Sequence, residues 1–163
     1  TKKIKLIENG IFKNVFSNSY DSYKEGGKES SGNAIRMGSP MGRSADPIPI
    51  SAPHNLTVEP GNTSQEDIIK DTKQGLLVGR LWYTYAVNPI KGDFSCTARS
   101  GIRIIENGKI KGPGKSVRIV DNLTTLLKNI SSIGNDQRRV IQWASLPSIT
   151  PSIKVENISV NSI

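Results

Sequence analysis

Ile102-Arg-Ile-Ile-Glu-Asn-Gly-Lys-Ile-Lys111 decides how this chain is read. β-branched residues alternate with charged ones on both sides of Asn107-Gly108. Asn-Gly is the pair that accepts the two positive-φ positions of a type I′ turn, so the stretch predicts a β-hairpin. Nearly the same phrase stands near the start, Ile4-Lys-Leu-Ile-Glu-Asn-Gly-Ile-Phe-Lys-Asn-Val15, with Asn9-Gly10 as its turn. Two occurrences are too few for a solenoid. They predict two similar hairpins in a sheet system.

Working outward, Leu76 to Val87, with Trp82, Tyr83 and Tyr85, reads as a strongly apolar strand, and Asn88-Pro89-Ile-Lys-Gly92-Asp93 as a turn. Phe94-Ser-Cys-Thr-Ala98, Arg103–Ile105 and Ser116–Val120 read as further strands. Pro151 to Val160 alternates as one terminal strand. Two short helices are expected. One follows a capping box at Thr63-Ser-Gln-Glu66 and is ended by Gly75. The other is capped by Asp121 or Asn122 and places Leu123, Leu126, Leu127 and Ile130 on one face. Residues 17–63, rich in Ser, Gly, Asn and Pro, read as a long irregular loop region, in which Val58 after Asn55-Leu-Thr hints at a short strand leading to Pro60-Gly61. The fold class is α+β, predominantly antiparallel β as hairpins, sheet or a barrel-like closure. The 163 residues suit a single domain.

Composition narrows the chemistry. Hydrophobic residues make 35% and charged residues 22%, and no apolar run reaches the length of a membrane-spanning helix. The single cysteine, Cys96, excludes an internal disulfide and fits a reducing cytoplasm. The glycosylation-type triplets at Asn55, Asn62, Asn122, Asn129 and Asn157 are what chance gives in so Asn-, Ser- and Thr-rich a chain. His54 is the only histidine, so a site needing three or four His or Cys ligands is not written here. A Cys96–His54 nucleophilic pair has nothing to place its members together. Gly112-Pro-Gly-Lys-Ser116 lacks the first glycine of a phosphate loop and precedes a strand rather than a helix, so it reads as a turn.

The net charge is +8, and it is uneven: residues 1–81 hold 11 basic against 9 acidic, residues 82–163 hold 11 against 5. Between 99 and 118 stand Arg99, Arg103, Lys109, Lys111, Lys115 and Arg118, with Glu106 the one acid. Such a stripe meets phosphates or an acidic partner, or is the solvated face of a hairpin whose charges guard an edge. Neither stacking aromatics nor a groove-reading helix accompanies it, which disfavours nucleic acid. The residues by themselves describe a binding or scaffolding domain with no self-sufficient active site.

A series of phrases in fixed order resembles the C-terminal domain of the TldD/PmbA family. They are Ser31-Gly32-Asn33-Ala34 with Arg36, Asn55-Leu56 to Pro60-Gly61, Asp71 to Gly75-Leu-Leu-Val78, and Asn88-Pro89 with Gly92-Asp93-Phe94-Ser95. Ile105-Glu-Asn-Gly-Lys-Ile110, Leu126 to Ile130, Ile133-Gly134-Asn135-Asp136 and the last strand complete the series. That family comprises zinc metallopeptidases, historically labelled modulators of DNA gyrase. The resemblance implies a fragment of a longer protein, consistent with a start at Thr1. The family's His-Glu-x-x-x-His helix would lie in an N-terminal domain, and any zinc would be held there, with no cofactor in this chain. The family's cysteine ligand has no counterpart in Gln137–Ser145, and Cys96 does not inherit that role.

The implied function is a chamber-lining and assembly domain of an intracellular, cytoplasmic peptidase acting on unfolded peptides. It would be inactive without its own N-terminal domain or a paralogous subunit in a homo- or heterodimer. Ser31, Gly32, Asn33, Arg36, Gly92, Asp93, Phe94 and Ser95 are the implied substrate-binding candidates; none is catalytic and none binds metal. The alternative is a basic nucleic-acid- or gyrase-associated module with no catalytic role.

Overall fold

The computed structural model describes residues 2–27, 29–36, 47–141 and 147–163. In chain order the elements are β1 (Ile7–Glu8), β2 (Ile11–Phe12), α1 (Ser19–Lys24), β3 (Ala34–Ile35), β4 (Ile50–Ser51), β5 (Leu56–Thr57), α2 (Gln65–Lys70) and β6 (Gln74–Asn88). Then come β7 (Asp93–Glu106), β8 (Lys109–Pro113), β9 (Val117–Asn122), α3 (Leu123–Lys128) and β10 (Ile130–Ile133). The last four are β11 (Arg138–Val140), β12 (Ser148–Thr150), β13 (Ile153–Val155) and β14 (Val160–Ser162). The α+β, mainly antiparallel reading holds, and no closed barrel forms among the described residues. The chain divides into two compact units, 1–58 with 138–150, and 59–137 with 151–163.

The second unit holds the main sheet, ordered β14-β9-β7-β6, with β8 also on β7. β7 is its axis. On one side it pairs β6 throughout; on the other it pairs β9 from Asp93 to Ala98 and β8 from Arg103 to Glu106. The buried apolar residues, Cys96, Ala98, Ile102, Ile105 and Ile119, all lie on β7 or its neighbour β9, because a strand flanked on both sides is the one shielded from water. Phe94–Ala98 and Arg103–Ile105, expected as separate strands, form one strand with a bulge between them. Arg99 is the extra residue there, Ser100 pairing Arg80 while Ala98 pairs Leu81. Gly101 follows the bulge at φ +66, and a side chain on it would meet the Gly79 backbone at 3.3 Å.

The Asn107-Gly108 hairpin forms as expected, with φ values of 49 and 72. Its turn docks against the end of α2: Asn107 N–H donates to Lys73 C=O at 2.6 Å and Gly108 N–H to Thr72 C=O at 2.9 Å. α2 starts one residue later than the sequence suggests. Ser64 is its cap, accepting from Asp67 N–H at 3.1 Å, and its hydroxyl holds the Asp67 carboxyl below the ordinary value. Gly75 does not end this helix; it lies within β6. Asn122 caps α3 as expected, yet Leu123 and Leu127 of its apolar face are exposed. The terminal strand is two strands, broken at Asn157 with φ 54. β13 pairs β10, and β14 pairs β9.

The first unit contains the β1–β2 hairpin, with Asn9 at φ 51 and Gly10 at φ 74, the β3–β4 pair and the three-stranded β11-β12-β5 sheet, in which β12 and β5 run parallel. The region 17–63 is thus more structured than its composition suggests. It holds a third helix, α1, capped by Asn18 through a 2.9 Å bond from Asp21 N–H. The expected turn at Gly38–Gly42 lies outside the described residues.

Candidate functional site

The first group of expected site residues belongs to the first unit. Ser31 is stitched to Ser17 by a reciprocal pair: Ser17 N–H donates to Ser31 Oγ at 2.7 Å, and Ser31 N–H to Ser17 Oγ at 2.9 Å. The Ser31 hydroxyl donates to Ser17 C=O at 2.9 Å, and Asn33 N–H reaches the same carbonyl at 3.1 Å. Gly32 takes φ +72 between them. Asn33 is buried and passes the chain into β3, its C=O accepting from Ala52 N–H at 3.0 Å. Ser31, Gly32 and Asn33 therefore hold a shaped loop. Arg36 is exposed at its end. Ser31 also lines a cleft of about 380 Å³ with Phe12, Lys13, Glu25 and Glu29.

The second group belongs to the second unit. Gly92, at φ +80, turns the chain into β7, and its C=O accepts from Leu123 N–H at 2.8 Å. Asp93 accepts from Asn122 Nδ2 at 2.9 Å; the same amide nitrogen donates to Lys91 C=O at 2.6 Å. Asn122 Oδ1 meanwhile caps α3 through Thr124 N–H and Thr125 N–H, at 3.0 and 3.3 Å. One amide thus ties the β6–β7 turn to the start of a helix. Phe94 is half-buried. Ser95 is buried and accepts from Arg118 Nε at 3.0 Å. The two groups lie in different units; Ser31 and Asn33 of the first are engaged by backbone, whereas Asp93 and Ser95 of the second accept from the side chains of Asn122 and Arg118.

A surface the sequence marked only as an apolar strand carries more accessible chemistry. β6 is an edge of the main sheet, and Leu81, Tyr83, Tyr85 and Val87 along it are 41–65% exposed. The Arg80 guanidinium sits 4.0 Å above the Trp82 ring, whose Nε1 donates to Ser100 Oγ at 3.2 Å. Arg118 Nη2 donates to the Tyr85 hydroxyl at 2.7 Å. Tyr83 adopts φ 52, an uncommon conformation for an aromatic residue, at a register shift that turns its ring outward. The aromatic spacing was visible in the sequence. The edge position, which depends on strand order, was not.

Among the described residues no three His, Cys, Asp or Glu side chains gather as a metal site. Cys96 is 1% exposed, and burial pushes its thiol up, a hydrogen bond with Thr84 opposing. His54 lies in the first unit and Cys96 in the second. Asp136, in the Gly134-Asn135-Asp136 phrase, accepts from Ser152 N–H at 2.9 Å and from its hydroxyl at 2.7 Å, a structural clasp. No helix among the described residues is long and apolar enough to cross a membrane.

Residues 1–162 match the family model of the PmbA/TldA metallopeptidase C-terminal domain. The metalloprotease PmbA of Escherichia coli O157:H7 is 30% identical over 95% of this chain and 30% of its own length. A Saccharolobus solfataricus protein named a zinc metalloprotease TldD homolog is 28% identical over 83% of this chain and 28% of its own. Among solved structures, TldE from Thermococcus kodakarensis superposes with a TM-score of 0.80 at 32% identity, over 96% of this chain and 33% of that one. A Thermotoga maritima protein described as a candidate modulator of a DNA gyrase gives 0.71 at 30% identity, over 95% and 32%. The chain spans only about a third of the length of these proteins.

Proposed function

The chain belongs to the PmbA/TldD metallopeptidase family as its C-terminal domain, and on that premise we propose that it is a chamber-lining and assembly domain of a cytoplasmic peptidase. The substrate is unfolded peptide, and the domain is inert without an N-terminal domain or a paralogous subunit to supply the zinc ligands. What carries the reading is the match of one domain model across 1–162 in a chain that covers about a third of metalloprotease relatives. The catalytic parts then belong to the remaining two thirds. Among the described residues no donor set for a zinc ion gathers, and on this reading the chain's contribution is to shape and grip.

Two features suit that task. An exposed strand edge such as β6 offers backbone N–H and C=O groups to an extended chain without reading its side chains. The stitched Ser17–Ser31 loop presents Ser31 to a cleft. The test uses the full-length protein with carboxymethylated casein as unfolded substrate. Hydrolysis is expected from the full-length protein and not from residues 1–163 alone, with saturating substrate slowing limited proteolysis within residues 20–50. Chelator-sensitive hydrolysis by residues 1–163, or no change in that cleavage rate, refutes the reading.

A further inference from the structure

β7 changes partner in mid-course. Up to Ala98 it is paired by β9, from Arg103 by β8, and the chain crosses between those two strands through Gly114-Lys115-Ser116. The bulge at Arg99 and the positive φ of Gly101 fall in the interval. A cleft of about 490 Å³ opens there, lined by Arg99, Gly101, Ile102, Arg103, Ile110 and, at the end of β8, Gly112 to Gly114, a stretch expected as a turn that instead pairs with β7 through Gly112 and Pro113. Both arginines are exposed, and no ion pair engages either one among the described residues. No acid lines the cleft, and neither β6 nor β8 contains one. Glu106 pairs in register with Lys109 at the far end of the hairpin. Asp93 and Asp121 are engaged by Asn122 and Ser159.

Two guanidinium groups without counter-charge, in a concavity whose remaining walls are Gly101, Gly112 and Gly114 with the apolar Ile102, Ile110 and Pro113, are what an oxyanion requires. Each fork can make two parallel charge-assisted bonds, and the three glycines leave room for the ligand to come close. Lys111 and Lys115 add to the local positive field. We propose that Arg99 and Arg103 form a carboxylate-recognition cleft that gives this domain a preference for acidic peptides. The inference rests on the peptide-handling reading above and adds a charge preference to it. Phosphate would satisfy the same forks. A cleft confined to one partner-switch point, with no run of stacking aromatics in its lining, fits a single side chain better than a nucleic-acid backbone.

The experiment measures binding to the full-length protein by fluorescence anisotropy, with EDTA present to silence hydrolysis. The probes are two labelled, C-terminally amidated decapeptides, identical except that two adjacent Glu residues in one are Gln in the other. The Glu peptide is expected to bind roughly tenfold more tightly, the scale of a partly solvated guanidinium–carboxylate pair. Arg99→Ala with Arg103→Ala should remove that preference while leaving affinity for the Gln peptide unchanged. Arg99→Lys with Arg103→Lys, a milder change that keeps the charge and loses the fork, should retain less than half of it. Equal binding of the two peptides to the wild type, or a preference that survives the double alanine change, overturns the cleft and leaves peptide handling intact. Failure of both peptides to bind overturns the peptide-handling reading and the cleft with it. Displacement of the Glu peptide by a single-stranded 20-mer DNA, with a steep dependence on salt, assigns the forks to phosphate and overturns the carboxylate.

Discussion

The two Asn-Gly turns are a matched pair in sequence and backbone but not in surroundings, and alanine at each glycine separates two costs. At Gly10, φ is +74 and, among the described residues, nothing lies within 4 Å of where a side chain would go. Gly10→Ala therefore meets only the left-handed penalty, about 1–2 kcal/mol. At Gly108, φ is +72, and a Cβ would stand 2.5 Å from the Lys70 carbonyl oxygen. Backbone must shift, at the expense of the two bonds from Asn107 and Gly108 to the end of α2. Overpacking and weakened bonds together should add about 2 kcal/mol or more, roughly thirtyfold in the local opening equilibrium. Hydrogen exchange of the full-length protein, resolved by mass spectrometry of peptides, reads both. Gly108→Ala should speed exchange across 65–73 and 102–113 together, whereas Gly10→Ala should affect only 5–14. A penalty at Gly108 no larger than that at Gly10 would refute the docking of this turn against α2.

Two further outcomes follow from named contacts. Asn122→Ala removes a helix cap and the tie to Lys91 and Asp93, so a loss of about 1–2 kcal/mol is expected in urea unfolding. Asn122→Asp keeps the cap but sets a carboxylate against Asp93, and should recover little of that loss at pH 7. Lys154 lies 3.0 Å from Asp71 and 3.6 Å from Glu156, and its pKa is raised first by the Asp71 hydrogen bond. A raised pKa means the stabilisation is complete below the unfolded lysine value and fades as pH climbs through the folded one. Because Asp71 is largely exposed, Lys154→Met should cost under about 1 kcal/mol at pH 7, and the difference from wild type should vanish only in strongly alkaline melts.

The hairpins were legible because a type I′ turn demands two left-handed residues, and Asn-Gly meets that demand from sequence alone. The α2 and α3 starts were legible to within a residue, since Ser64 and Asn122 cap by local chemistry. What escaped was set by partners. Phe94–Ala98 and Arg103–Ile105 fuse because β6 runs past both, and only the pairing reveals the bulge at Arg99. α1 is too short for helical periodicity and owes its place to Asn18 and to the buried Ser22. The candidate site was legible as motifs; the partners of its residues were not. Ser31 and Asn33 hold backbone and Asp93 holds the Asn122 amide, contacts that identity and spacing alone do not reveal. The exposed Tyr83 and Tyr85, and the arginines beside the partner switch, follow from strand order.

That strand order also sets a timetable for synthesis. The β7–β8 hairpin can close as soon as β8 has left the ribosome, and β9 can join soon after. β14, which covers the outer side of β9, emerges only after α3, β10 and the whole excursion through β11 and β12 into the first unit. Until then the nascent sheet offers β9 as well as β6 to any passing strand, so this stretch of translation is when a holding chaperone has most to protect.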